Sequence, residues 1–263
     1  MSTPMQIGFS QRVQLDWLEQ TAALVLAGQT RAQITTALQE LLHDKLSVGG
    51  TAPRGNREKA ITILLNIWVS VPRGLQPFRD DGLDYLQRLP LNDHLALHWG
   101  MTMAVYPFFG VVAETVGRLL RLQGTCAAAQ IQRRIREQLG ERETVARAAR
   151  RILRCFVDWG VLQETQQKGV YRTFPVRAIQ DKRLTAWLVE AVFRASCTDK
   201  RTLKMIVQTP ALFPFNLASL YASDLRNHAR LELFRHSLDE DMVALRSSGV
   251  VKTIPLLKQV PRA

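Results

Sequence analysis

Residues 142–157 read RETVARAARRILRCFV, and the way they sort around a helix decides how the rest of the chain is interpreted. At 100° per residue, Val145, Ala149, Ile152 and Phe156 fall on one side while Arg147, Arg150, Arg151 and Arg154 fall on the other. One face is suited to packing and the opposite face to anions. Upstream, 127–139 repeats Ile131, Ile135 and Leu139 at i, i+4, with Arg133, Arg134 and Arg136 on its polar side, and reads as a shorter helix. Gly140-Glu141-Arg142-Glu143 supplies the turn between them. Downstream, 161–165 and 170–174 are β-rich runs around the polar tip Gln166-Gln167-Lys168-Gly169, which predicts a hairpin. A preceding helix spans 111–122, with Gly124 as its stop signal.

Helix, turn, basic amphipathic helix, hairpin: this order resembles the winged-helix form of the helix-turn-helix superfamily over residues 108–175, a topological likeness that identifies no particular family. The resemblance implies that helix 143–157 enters the major groove of DNA. Helix 127–139 would brace it across the backbone, and the hairpin around Lys168 would lie on an adjacent groove or phosphate. The nucleic-acid contacts it implies are Arg133, Arg134, Arg142, Arg147, Arg150, Arg151, Arg154, Lys168 and Arg172. Arginine suits either role, since its planar fork matches guanine O6 and N7 as well as phosphate. Glu143 departs from the pattern, because a carboxylate beside the arginine face repels phosphate. Its alternative uses are to favour the helix N-terminus or to accept from cytosine.

The charge distribution agrees with a polyanionic partner. The chain has 263 residues and a formal net charge of +12, yet residues 1–100 carry nine basic and nine acidic side chains, so the whole excess lies in 101–263. Between 118 and 177 there are 13 basic against five acidic residues. Arginine outnumbers lysine throughout, as a coding sequence rich in G and C would also produce; the facial clustering in 142–157 is what separates a ligand surface from composition.

The remainder reads as mainly helical: an N-terminal helical domain (1–107), the central module with one short hairpin (108–177) and a C-terminal helical region (178–263). Amphipathic spacing predicts helices at 12–27, 31–45, 57–69, 78–88 and 93–106, separated by Gly28, the stretch 49–53 and Pro72-Arg73-Gly74. Further helices are expected at 182–195, 201–208, 217–236 and 239–246, with a strand or loose tail from 247. The apolar stretch 101–113 is shorter than a bilayer span and is expected to be a core helix broken near Pro107. Trp68, Trp99, Trp159 and Trp187 are expected in the core, with Trp159 pinning the hairpin, and Leu212, Phe213 and Phe215 between Pro210 and Pro214 are expected to plug it. Tyr171 reads as packed, with an outward orientation on the hairpin as its alternative.

Catalytic and metal constellations are weak. His94 and His98 share a helical face, but no Glu follows the first histidine and no third ligand is evident. Asp239-Glu240-Asp241 after Ser237 reads as a helix start, and Asp80, Asp81 and Asp84 as a solvated face. Phosphate-binding, dinucleotide and nucleophile-elbow motifs are missing. Cys126, Cys155 and Cys197 are odd in number and unpaired in spacing, which suggests reduced thiols, and the N-terminus lacks a secretion pattern. The expectation is therefore a cytoplasmic, non-enzymatic protein without cofactor or metal that binds double-stranded DNA. It would serve as a regulator or as a DNA-engaging subunit of a larger bacterial assembly, such as one for phage defence. A protein partner or homodimer would form through its helical domains. The alternatives are a protein- or RNA-binding adaptor using the basic face and, behind it, a nuclease-type enzyme with scattered carboxylates.

Overall fold

The computed structural model describes residues 7–47, 55–196, 200–235 and 241–246, and among these it is mainly helical. The N-terminal part holds α1 (Leu15–Leu26), α2 (Arg31–Leu41), α3 (Asn56–Trp68), α4 (Gln76–Arg88) and α5 (Leu91–Val105), the five helices that the apolar spacing predicts. Thr30 and Gln33 close a reciprocal cap on α2: Thr30 Oγ1 accepts from the Gln33 amide (3.4 Å), and Gln33 Oε1 accepts from the Thr30 amide (2.8 Å). Helix α5 is buried on every side from Leu95 to Ala104. Pro107 has no N–H to continue it, so the chain breaks and restarts as α6 (Pro107–Gln123) at 119° to α5. Gly124, at φ +72°, terminates α6 in a left-handed conformation that a side chain would disfavour.

Next come β1 (Thr125–Ala127), α7 (Ala128–Leu139), α8 (Glu143–Asp158), β2 (Leu162–Glu164) and β3 (Val170–Thr173). The expected hairpin is present, and β1 adds to it. β3 pairs antiparallel with β2 on one side (Gln163 opposite Arg172) and with β1 on the other (Cys126 opposite Tyr171), giving a sheet ordered β1-β3-β2. Gln130 Oε1 accepts from the Ala127 amide (3.2 Å), which holds the junction from β1 into α7.

The C-terminal part is less helical than its sequence suggests. It contains β4 (Arg177–Ile179), α9 (Lys182–Ala195), β5 (Lys200–Thr202), α10 (Leu203–Val207), β6 (Phe215–Leu217), α11 (Ala222–Leu225), β7 (Leu231–Arg235) and β8 (Asp241–Leu245). β4 and β6 pair in parallel, and β5-β8-β7 form an antiparallel sheet. Helix α9 is as expected, capped by Asp181, whose side chain accepts from the amides of Arg183 (2.6 Å) and Leu184 (3.1 Å). The predicted helices at 217–236 and 239–246 are corrected. At His228 the ring Nδ1 accepts from the amides of Arg230 (3.3 Å) and Leu231 (3.0 Å), so a side chain takes donors that a helix would use and turns the chain into β7. In the second segment Val243, paired with both Leu233 and Arg201, is buried at the centre of the sheet, and pairing overrides local preference. Asp241 therefore opens a strand. Cys197, Ser237, Asp239, Glu240 and the segment from 247 lie outside the described residues.

One hydrophobic core runs through all three parts of the chain. At its middle the Trp99 ring stacks on Phe156 (4.8 Å between centroids) and meets Phe109, Trp159, Phe213 and Phe215 edge-on. Gly117 of α6 permits the Pro210–Phe213 plug to close, since a Cβ there would lie 2.1 Å from the Pro210 carbonyl oxygen. Trp187 of α9 stacks on Phe78 (4.3 Å, 5° between planes) and donates to the Phe78 carbonyl (3.0 Å). A buried charge accompanies this apolar core. Glu190 is fully enclosed, and one of its oxygens receives the Nε–H groups of both Arg194 and Arg230 (2.8 Å each), while Arg230 also reaches Asp81. No single helix among the described residues is long and apolar enough to cross a membrane.

Candidate nucleic-acid interface

Helix α8 resolves into two faces as its sequence dictates. Val145, Ala149, Ile152 and Phe156 are all 0 % exposed, whereas Arg147, Arg150 and Arg154 are exposed and Arg151 is half-buried on the flank of their stripe. The outermost stripe, read at i, i+4, i+7 and i+11, is Glu143, Arg147, Arg150, Arg154. The helix cannot roll to hide these cations, because its other face is the core.

The remaining candidate residues differ in their freedom. On α7, exposed Arg133 and Arg134 share Glu137 at 3.5 and 3.9 Å. Arg142 precedes α8 and, among the described residues, its guanidinium reaches the Leu139 carbonyl alone, at 3.5 Å. Arg172 of β3 is laid across the strand onto Gln163 Oε1 (3.0 and 3.3 Å), and Lys168 is exposed at the hairpin tip. Arg147 is held by Glu143, with Nε 2.8 Å from Oε1. Among the described residues, Arg150, Arg151, Arg154 and Lys168 make no hydrogen bond or ion pair. Arg151 also has its guanidinium pKa lowered by burial and by the charges of Arg147 and Arg150. Arg147 and Arg150 thus lie close enough to oppose the charge of Arg151, and Glu143 is the carboxylate paired within this face among the described residues.

Other residues singled out by the sequence are structural. Tyr171 is 7 % exposed and faces inward, so the outward orientation is excluded. Trp159 does not hold the hairpin through its indole N–H, which donates instead to the Val13 carbonyl (3.0 Å), while the Val13 amide donates to Cys155 Sγ (3.4 Å). Asp158, at the end of α8, pairs with Arg12 (3.3 Å), a contact across more than half of the sequence that no local pattern signals. Burial pushes the Cys126 and Cys155 thiols up to about 12, so both stay protonated.

His94 and His98 bind a carboxylate. The Trp68 indole N–H donates to His98 Nδ1 (3.1 Å), which leaves the His98 proton on Nε2, where it donates to Glu19 Oε2 (2.7 Å). The ring nitrogens of His94 face Glu19 Oε1 (2.8 Å) and the Leu89 carbonyl (3.1 Å). The His98 hydrogen bond holds the Glu19 carboxyl down at about 2, and burial keeps His98 below its ordinary pKa; both directions agree with a neutral imidazole donating to a carboxylate. Among the described residues, no three His, Cys, Asp or Glu side chains are arranged to hold a metal ion. Compared with protein-family models, with curated proteins and with solved structures, the chain has no match in any of the three.

Proposed function

We propose that residues 108–175 form a winged-helix module that docks α8 on double-stranded DNA. On this reading the protein is a non-enzymatic binding protein, acting as a regulator or as the DNA-engaging subunit of a larger assembly. The order α6, β1, α7, α8, β2, β3, with β1 closing the sheet against β3, supports the winged-helix reading. What carries the functional reading is the arginine face of α8: Arg150, Arg151 and Arg154 make no hydrogen bond or ion pair among the described residues, on a helix whose reverse face is sealed in the core. Lys168 at the hairpin tip then serves as a second backbone contact.

The test is the salt dependence of binding to a labelled duplex. Among the described residues Arg142, Arg150, Arg151, Arg154 and Lys168 have no carboxylate partner, and neutralising about five phosphates gives a log-log slope of about −4 to −5. Binding that ignores salt, or none at low salt, refutes the proposal and favours an adaptor that uses the same face on an acidic partner.

A further inference from the structure

Glu143 stands in the stripe that the proposed function turns toward DNA, where it is exposed and pairs with Arg147 one turn further along the helix. Its Oε1 accepts from both Nε and an Nη of Arg147, so the side edge of that guanidinium is occupied. The end-on edge, with its two parallel N–H donors, remains available. Glu143 Oε2 has no partner among the described residues, and the carboxylate is 70 % exposed. The pair therefore presents two donors and one strong acceptor side by side, at the N-terminal end of the helix.

We infer that Glu143 and Arg147 act as one reading unit in the major groove, with Arg147 on guanine O6 and N7 and Glu143 Oε2 accepting from the N4 amino group of a neighbouring cytosine. A carboxylate can only accept, and the cytosine amino group is the donor such side chains meet there. Held by Glu143, Arg147 enters with its fork already aimed, which reduces the rotamer freedom lost on contact. The same carboxylate repels phosphate, so Glu143 lowers affinity for every duplex lacking the cytosine. It works as a discriminator as well as a contact.

This inference rests on the DNA-binding reading, and its test separates the two. Sites are selected from a randomised duplex pool with the wild-type chain, with Glu143→Gln and with Arg147→Ala, and affinities for selected and scrambled duplexes are compared at one fixed salt concentration. The wild type should fix a guanine and a nearby cytosine. Glu143→Gln should lose the cytosine, reduce the selected-to-scrambled ratio roughly five- to a hundredfold, and bind scrambled DNA roughly two- to fivefold more tightly through loss of one exposed repulsive charge. Arg147→Ala should lose the guanine. If the wild type binds duplex with steep salt dependence but selects no such pair, or if Glu143→Gln keeps the wild-type consensus and ratio, the inference is overturned while DNA binding stands. No duplex binding at any salt overturns both.

Discussion

Substituting Gly100 by alanine sets two effects of opposite sign against each other. In the middle of α5, helix propensity alone makes Gly→Ala stabilising by about 1 kcal/mol. The structure opposes this, because a Cβ at Gly100 would lie 2.3 Å from Cζ3 and 2.9 Å from Cη2 of Trp187. The indole has nowhere to retreat: Phe78 stacks on it at 4.3 Å, its N–H is bonded to the Phe78 carbonyl, and a Cβ at Gly82 would already come within 3.1 Å of Cζ2. Overpacking in a rigid core costs about 1–3 kcal/mol, and a clash this close belongs at the upper end. The net expectation is a loss of about 2 kcal/mol, or a melting temperature lower by about 4–8 °C for a chain of this size. Urea unfolding should show a lower midpoint at unchanged slope. Gly74→Ala, where nothing lies within 4 Å of the added Cβ, is the control and should be close to neutral. A Gly100→Ala protein as stable as the wild type, or more so, would show that Trp187 does not pack against α5 as described.

Two further outcomes follow from the buried polar groups. Glu190→Ala leaves Arg194 and Arg230, which are only 14 % and 21 % exposed, without their shared carboxylate, and should cost about 3 kcal/mol in urea unfolding; a loss below about 1 kcal/mol would refute the network. Acid should destabilise the protein in two stages. His98 is held neutral below its ordinary 6.5, so its contribution is full above pH 6.5 and falls below it, and the Glu19 contribution, full above 4.5, is lost on the way down to about 2. His98→Gln, which can still accept from Trp68 and donate to Glu19, should flatten the first stage in pH-dependent urea unfolding, leaving the slope from His228, whose pKa burial also lowers. Equal wild-type stability at pH 7 and pH 5 would contradict the assignment.

Helices declared themselves in the sequence wherever one face meets the core and the other meets water. Helix α8 is the clearest case, and its Glu143–Arg147 pair is also local, four residues apart on one face. Strand β1 is three residues long and exists because β3 offers it a backbone partner, so nothing in Thr125-Cys126-Ala127 marks it in advance. The strands β7 and β8 were hidden for a related reason. Leu231 and Leu233 lie close enough to Leu225 for the apolar spacing to look continuous, and the ring of His228 interrupts it. Long-range pairs leave no local trace at all: Glu19 meets His94 and His98 from 75 and 79 positions away, so the sequence does not reveal which partner satisfies the two histidines.

The two bonds between Val13 and the C-terminal end of α8, one to Cys155 and one from Trp159, have a consequence for the thermodynamics of any ligand on the arginine stripe. Together with the Trp99–Phe156 stack they fix the attitude of α8 relative to the rest of the chain before anything binds. Backbone ordering, which costs roughly 1–2 kcal/mol per residue when a segment folds on its partner, is already complete along the 16 residues of this helix. What a polyanion has left to immobilise is a handful of arginine side chains. Association with the stripe should therefore lack the large negative heat-capacity change of coupled folding.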